Sequence, residues 1–211
     1  MRSLAIGLIA LLAITACTPI RGTDDTARSS ETVSERAQPR AIPAPEAPAE
    51  TQTYTREEIL NSAKTFFGGT TAEFAGLIER AFADYGQPVA YIEGEEGSGA
   101  FIVGLRYGQG YLQYKGGGRG PVFWQGPSIG FDYGGNASKV FTLVYKLRKT
   151  EQLFQRFPGV EGSLYVVAGF GLNYQRSDEV VLAPIRTGVG LRAGANVGYV
   201  HYTREPSYLP F

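Results

Sequence analysis

The chain has 211 residues, with 20 Lys and Arg against 20 Asp and Glu, one His and one Cys. Balanced charge argues against non-specific nucleic-acid binding, which needs a basic excess. One cysteine excludes an internal disulfide framework, one histidine excludes a multi-histidine metal site, and no metal or cofactor is expected.

Met1-Arg2 precedes an apolar run from Leu4 to Ala13, followed by Ile14-Thr15-Ala16-Cys17. A run of about ten apolar residues is too short to span a bilayer, and small residues at 15 and 16 suit a signal-peptidase site. Residues 1–16 are therefore expected to be a signal peptide. Ile14 to Cys17 also resembles the lipobox of bacterial lipoproteins, which implies lipidation of Cys17 as the first mature residue. The alternative is an ordinary cut near Ala16 with Cys17 incidental. Each buried acyl CH₂ contributes about 0.8 kcal/mol, so several chains would hold the protein on a membrane essentially permanently. Thr18 stands where lipoproteins kept at the inner membrane often carry Asp, which implies the periplasmic face of the outer membrane.

Residues 17–53 have almost no large apolar side chains, and Pro39, Pro43, Pro45 and Pro48 alternate with Ala and Glu. Such a stretch cannot bury enough surface to offset chain entropy and reads as a disordered tether. Residues 54–211 suffice for one domain with a packed core.

That domain opens with two helical patterns. In "YTREEILNSAKTFFGG", Thr55 caps, Glu58 completes a capping box, Ile59, Ala63, Phe66 and Phe67 share a face, and Gly68-Gly69 stops the helix. In "TTAEFAGLIERAFADYGQP", Thr70 and Glu73 read as a second capping box, and Phe74, Leu77, Ile78, Ala81, Phe82 and Tyr85 form the apolar stripe. After Pro88 the period falls to two. Strands are expected near 89–93, 100–107, 111–115, 121–124, 128–133, 139–146, 163–174, 180–184, 185–193 and 196–202, with a helical turn at Thr150 to Phe154. The fold class is mainly β (α+β): a small antiparallel β-barrel preceded by two amphipathic helices. Gly126, Gly130, Gly134 and Gly135 in "PVFWQGPSIGFDYGGNASKVF" are expected at strand corners or close backbone approaches, and "KGGGRG" (115–120) is expected to be a hairpin tip.

Several motifs invite a sharper function and fail. "GVGLRAG" (188–194) fits a dinucleotide fingerprint in letters only, since no helix follows. His201 alternates with Tyr199 and Thr203 in a strand and reads as a structural residue. No serine lies in G-x-S-x-G. Glu95-Glu96 and Asp178-Glu179 read as solvated charge in turns. The C-terminal "TREPSYLPF" breaks the alternation a transmembrane barrel needs. Among the aromatics, strand alternation sends Phe123 and Trp124 to opposite faces. Trp124 is expected to point outward at the rim, with Arg119 and Lys115 at the neighbouring hairpin tip, as candidate ligand contacts.

The segments "PVFWQGPSIGFDYGGNASKVF", "GVEGSLYVVAGFGLNY" and "GVGLRAGANVGYVHYT" resemble the envelope integrity protein A family of Gram-negative bacteria. The resemblance implies a periplasmic small β-barrel with accessory helices, needed for cell-envelope homeostasis and without an established catalytic activity. Members carry an ordinary cleaved signal, so the lipobox at Cys17 departs from the family. More distantly, Trp124, Pro127, Ser128, Ile129, Gly130, Gly190, Leu191, Ala193 and Gly194 are similar in order to the SYLF lipid-binding domain, which implies a lipid or envelope-polymer ligand. The expectation is a non-enzymatic periplasmic envelope protein, anchored through Cys17 and binding an envelope lipid, glycan or protein. The alternative is a hydrolase or transferase acting on an envelope polymer.

Overall fold

The computed structural model describes residues 52–69, 71–100, 103–129, 137–187 and 198–207. The signal peptide, most of the tether, Gly130, Gly134, Gly135 and the 188–194 motif lie outside them.

Helix α1 spans Arg56–Phe67, and its start follows from chemistry the sequence displays: the Thr55 side chain accepts from the Glu58 N–H while the Glu58 carboxylate accepts from the Thr55 N–H. Gly68 closes it in the left-handed region. Helix α2 spans Ala72–Tyr85. Its cap is Thr71, which accepts from the Phe74 N–H, so the expected Thr70–Glu73 box is displaced by one residue. Phe74 at the third helical position has no carboxylate with which to reciprocate.

Ten strands follow: β1 (Ala90–Ala100), β2 (Val103–Tyr114), β3 (Arg119–Ile129), β4 (Ala137–Tyr145), β5 (Arg156–Pro158), β6 (Tyr165–Val167), β7 (Phe170–Leu172), β8 (Gln175–Ser177), β9 (Val180–Thr187) and β10 (Tyr199–Thr203). A turn of 3-10 helix, Thr150–Leu153, stands between β4 and β5 as expected. The strands form one antiparallel sheet in the order β5-β10-β3-β2-β1-β4-β9-β7-β6, with β8 paired to β9. The sheet curls into a half-barrel. Its flanks meet where Gly159 and Gln175 form an antiparallel bridge and the Val160 N–H donates to the Tyr174 carbonyl.

Alternation gives this sheet two faces. Ala90 and Ile92 of β1, Leu112 and Tyr114 of β2, Val122 and Trp124 of β3, Val140 and Val144 of β4, and Leu182 of β9 pack inside the curl. Tyr91, Phe141, Leu143, Ala183 and Ile185 point the other way and meet Ile59, Ala63, Phe74, Leu77, Ile78 and Ala81 of the helices. The helical stripes therefore cover the convex side of the sheet, and the core has two layers.

The strands depart from the glycine punctuation in several places: the expected 121–124 strand runs on without a break through Ile129 as β3, and the expected single strand 163–174 is a hairpin of β6 and β7. The expected strands 100–107 and 111–115 are one strand, because Gly108 and Gly110 pair in register with Glu96 and Gly94. The expected break at Pro184 is absent too. There β9 pairs with β8 through Val180–Leu182 and with β7 through Ile185–Thr187, so Pro184 occupies the gap between those ladders, where no N–H is required. The 115–118 turn joins β2 to β3, with Gly117 and Gly118 at positive φ, as expected for a hairpin tip.

Candidate functional site

Inside the curl, β1 ends its inward row on a charge. Glu96 is buried, and its Oε1 accepts from Arg186 Nε of β9 at 3.2 Å and lies 3.8 Å from Arg106 Nη1 of β2. Its Oε2 accepts from the Trp124 indole N–H at 2.8 Å. Arg106 Nε donates to the Pro127 carbonyl at 3.1 Å, and Arg186 Nη1 donates to Asn173 Oδ1 at 2.8 Å. Burial by itself raises the pKa of Glu96. The Arg186 and Arg106 guanidinium groups and the indole N–H outweigh it, so the carboxyl lies below its ordinary value and stays ionised. Burial pulls the Arg106 pKa down, opposed by Glu96, and pushes the neighbouring Tyr202 hydroxyl up.

Trp124 is therefore inside, only 3 % exposed, and the expected outward position is corrected. The alternation of Phe123 and Trp124 holds with its direction reversed. The reason is in the opposing strands: Gly108 leaves the slot that the indole fills, so that a Cβ there would overlap the ring, and Glu96 supplies the buried acceptor that the indole N–H needs. Gly126 is likewise a close-approach position within β3 rather than a corner, since a Cβ on it would meet the Tyr199 carbonyl of β10. Glu96 is also corrected, from a solvated turn residue to a buried strand residue, whereas Asp178 and Glu179 do lie exposed in a turn.

The opposite face of β1–β3, beyond the helices, is an open groove. Two depressions of about 390 and 280 Å³ share Glu95, Gln109 and Phe123. The larger continues to Phe66, Glu93, Tyr111, Arg119 and Pro121, the smaller to Tyr107, Pro206 and Ser207. Arg119 stacks on Tyr111, its guanidinium carbon 3.8 Å from the ring centroid, and reaches Glu93 at 3.4 Å, while Tyr111 remains 45 % exposed. Gln113 Nε2 holds the same Glu93 oxygen at 3.0 Å. Glu95 and Gln109 are exposed and make no hydrogen bond or ion pair among the described residues.

Of the residues singled out in the sequence, Arg119 lies on this groove, and Trp124, although buried, contributes to the lining of the smaller depression. Lys115 does not line it. Its ammonium pairs with Glu58 and sits over the Tyr54 ring, tying the hairpin tip to the start of α1. Glu95, Gln109, Tyr111 and Phe123 were missed as groove residues. Their signal was present as the outward parity of β1, β2 and β3, and it becomes readable only once the strands are known to be continuous. His201 is half-buried on β10, and burial followed by the Arg156 charge lowers its pKa, consistent with a structural residue. Among the described residues there is no cluster of three or more metal-ligating side chains, and no helix is long and apolar enough to cross a membrane.

The architecture is that of a β-barrel-like protein backed by two helices. The chain belongs to the envelope integrity protein A family, whose model matches residues 52–211. It is also similar to the crystal structure of a beta-barrel-like, uncharacterized protein from Brucella abortus, at 50 % sequence identity and a TM-score of 0.69, covering 75 % of this chain and 99 % of that one. No curated protein matches the chain. Membership gives it an envelope-related role, and neither the family nor the Brucella protein is a known enzyme.

Proposed function

We propose that this is a non-enzymatic periplasmic protein that supports the envelope by binding a saccharide portion of an envelope polymer in the groove across β1, β2 and β3. The observation that carries the reading is the groove's composition. Exposed Tyr111 and half-buried Phe123 offer flat apolar surface, and Glu95 and Gln109 between them, whose side chains have no partner among the described residues, offer hydrogen-bond acceptors and a donor. Sugar rings have apolar C–H faces and hydroxyl edges, so they match alternating rings and polar groups better than an acyl chain does. Lipidated Cys17, at the end of a proline-rich tether of residues 17–53, would hold the domain beside the outer membrane while leaving it reach through the periplasm.

Calorimetric titration with soluble peptidoglycan fragments and core oligosaccharide tests the reading. The wild-type chain is expected to bind one of them saturably, and Tyr111→Ala to weaken that binding at least tenfold with an unchanged melting temperature. Binding only to lipid vesicles, or equal saccharide binding by Tyr111→Ala, counts against it. Fractionation tests the tether: Cys17→Ser is expected to lose membrane association, as a soluble protein or an unprocessed precursor. Wild type found soluble in the periplasm with Cys17 unmodified would end that part of the proposal.

A further inference from the structure

The smaller depression of the groove is where β10 hands the chain on. Thr203 of β10 lies opposite Phe123 of β3 in the ladder. Beyond it the Thr203 hydroxyl donates to the Glu205 carbonyl at 2.7 Å and Arg204 pairs with Glu151 at 2.8 Å, which fixes the turn. Pro206 and Ser207 then line the depression beside Tyr107 and Gln109 of β2 and Glu95 of β1. Between Thr203 and Ser207 the chain has therefore left its own strand and moved onto the outer face of the neighbouring ones.

Residues 208–211 follow, and they read Tyr-Leu-Pro-Phe, without a charge. Proline disfavours helical backbone in the residue before it, so Leu209 is biased to an extended conformation, and alternate side chains of an extended segment face the same way. Leu209 and Phe211 then share one wholly apolar side. An extended chain advances about 3.4 Å per residue, so four residues reach about 14 Å. Tyr107 and Tyr111 stand four residues apart along β2, about 13 Å. The segment is long enough to run from Ser207 past Phe123 to Tyr111, whose ring is 45 % exposed. A segment attached at the edge of the groove also meets it at an effective concentration on the order of millimolar, which an untethered partner has to exceed.

We propose that residues 208–211 dock in cis along the outer face of β1, β2 and β3, with Leu209 and Phe211 on the apolar floor that Phe123 and Tyr111 form, and that a ligand of the groove has to displace them. Competition with saccharide rests on the function proposed above, whereas the docking itself does not. A docked segment lowers the apparent affinity for saccharide by the fraction of time the groove stands open. It also covers the Tyr111 ring while the groove holds no ligand.

Nitration of tyrosines in the detergent-extracted full chain, mapped by mass spectrometry, tests the docking. Tyr111 is expected to react about threefold or more slowly in the wild type than in a chain stopped after Ser207. The double substitution Leu209→Ser, Phe211→Ser, which keeps the length, is expected to match the stopped chain. Tyr165 of β6, held by Arg80 of α2, is the control and is expected to react equally in all three. Equal reaction of Tyr111 in all three would overturn the docking, and protection that appears only as protein concentration rises would overturn it in favour of a second copy. Calorimetry with peptidoglycan fragments and core oligosaccharide tests the competition: the stopped chain is expected to bind about threefold or more tightly than the wild type. Equal affinity of the two would overturn the competition. Tyr111 protection with no saccharide bound by any form would uphold the docking and remove the saccharide reading, and saccharide binding with Tyr111 equally reactive in all forms would do the reverse.

Discussion

Glu95 and Glu96 are consecutive, identical in chemistry and opposite in circumstance. Glu96 points into the curl, buried against two arginines and an indole N–H, and Glu95 points out into an open groove with no partner among the described residues. The pleat alone separates them. Inside, the carboxylate is part of what holds β1, β2, β3 and β9 together. Outside, an identical group contributes almost nothing to the fold and is free for a ligand.

The largest expected effect comes from breaking the inner half of this comparison. Glu96→Gln removes the carboxylate that Arg106 and Arg186 share in the interior and should destabilise the domain by about 3–5 kcal/mol, read from denaturant unfolding. The wild type should show the same weakness in acid. Because the folded-state pKa of Glu96 is depressed, its contribution is fully present above the unfolded carboxylate value of about 4.3 and is lost as pH falls through the lower folded value. Glu96→Gln should therefore flatten the acid limb of the stability profile. An equally steep limb in the variant would assign the acid sensitivity to other carboxylates.

A smaller loss is expected from Trp124→Phe. The ring volume is partly kept, but Glu96 Oε2 loses its donor, and removing one partner of a buried charged hydrogen bond costs about 1–3 kcal/mol. If the indole is only a filler of the slot over Gly108, the variant will instead follow the cost of lost volume, and Glu96→Gln and Trp124→Phe will add. Coupling of the two in a double-mutant cycle is the expected outcome.

The helices were legible in the sequence almost to the residue, because caps and stripes are local: Thr55, Glu58 and Gly68 interact within a turn of one another. The two faces of the sheet were legible only in part. Alternation shows that Phe123 and Trp124 part company, but which of them turns inward depends on Gly108 and Glu96, distant in sequence and brought opposite by the register. Short strands such as β5 and β8, three residues each, carry too few alternations to register as a period. The groove was hidden for the same reason. Tyr111 and Phe123 lie in strands that the sequence displays, but Glu95 and Gln109, which complete the groove between them, fall at positions read as a turn and a glycine break.

The smallest effect on stability belongs to the outer half of the comparison and bears most on function. Glu95→Gln removes an exposed charge with no partner among the described residues, so stability should change by no more than is usual for an exposed substitution, about 0.5 kcal/mol or less. If the groove takes saccharide, the same change should weaken binding by several-fold, because an ionised carboxylate accepts hydroxyl hydrogen bonds more strongly than a neutral amide oxygen does. Arg119 supplies an internal control. It stacks on Tyr111 and pairs with Glu93, so Arg119→Met should disturb the ring's position and weaken binding without touching Glu95. Calorimetry on both variants separates a groove that reads hydroxyl groups from one that merely presents an apolar floor. Loss in Arg119→Met with no loss in Glu95→Gln would mean that the ring does the binding and that the unpartnered carboxylate is only solvated charge.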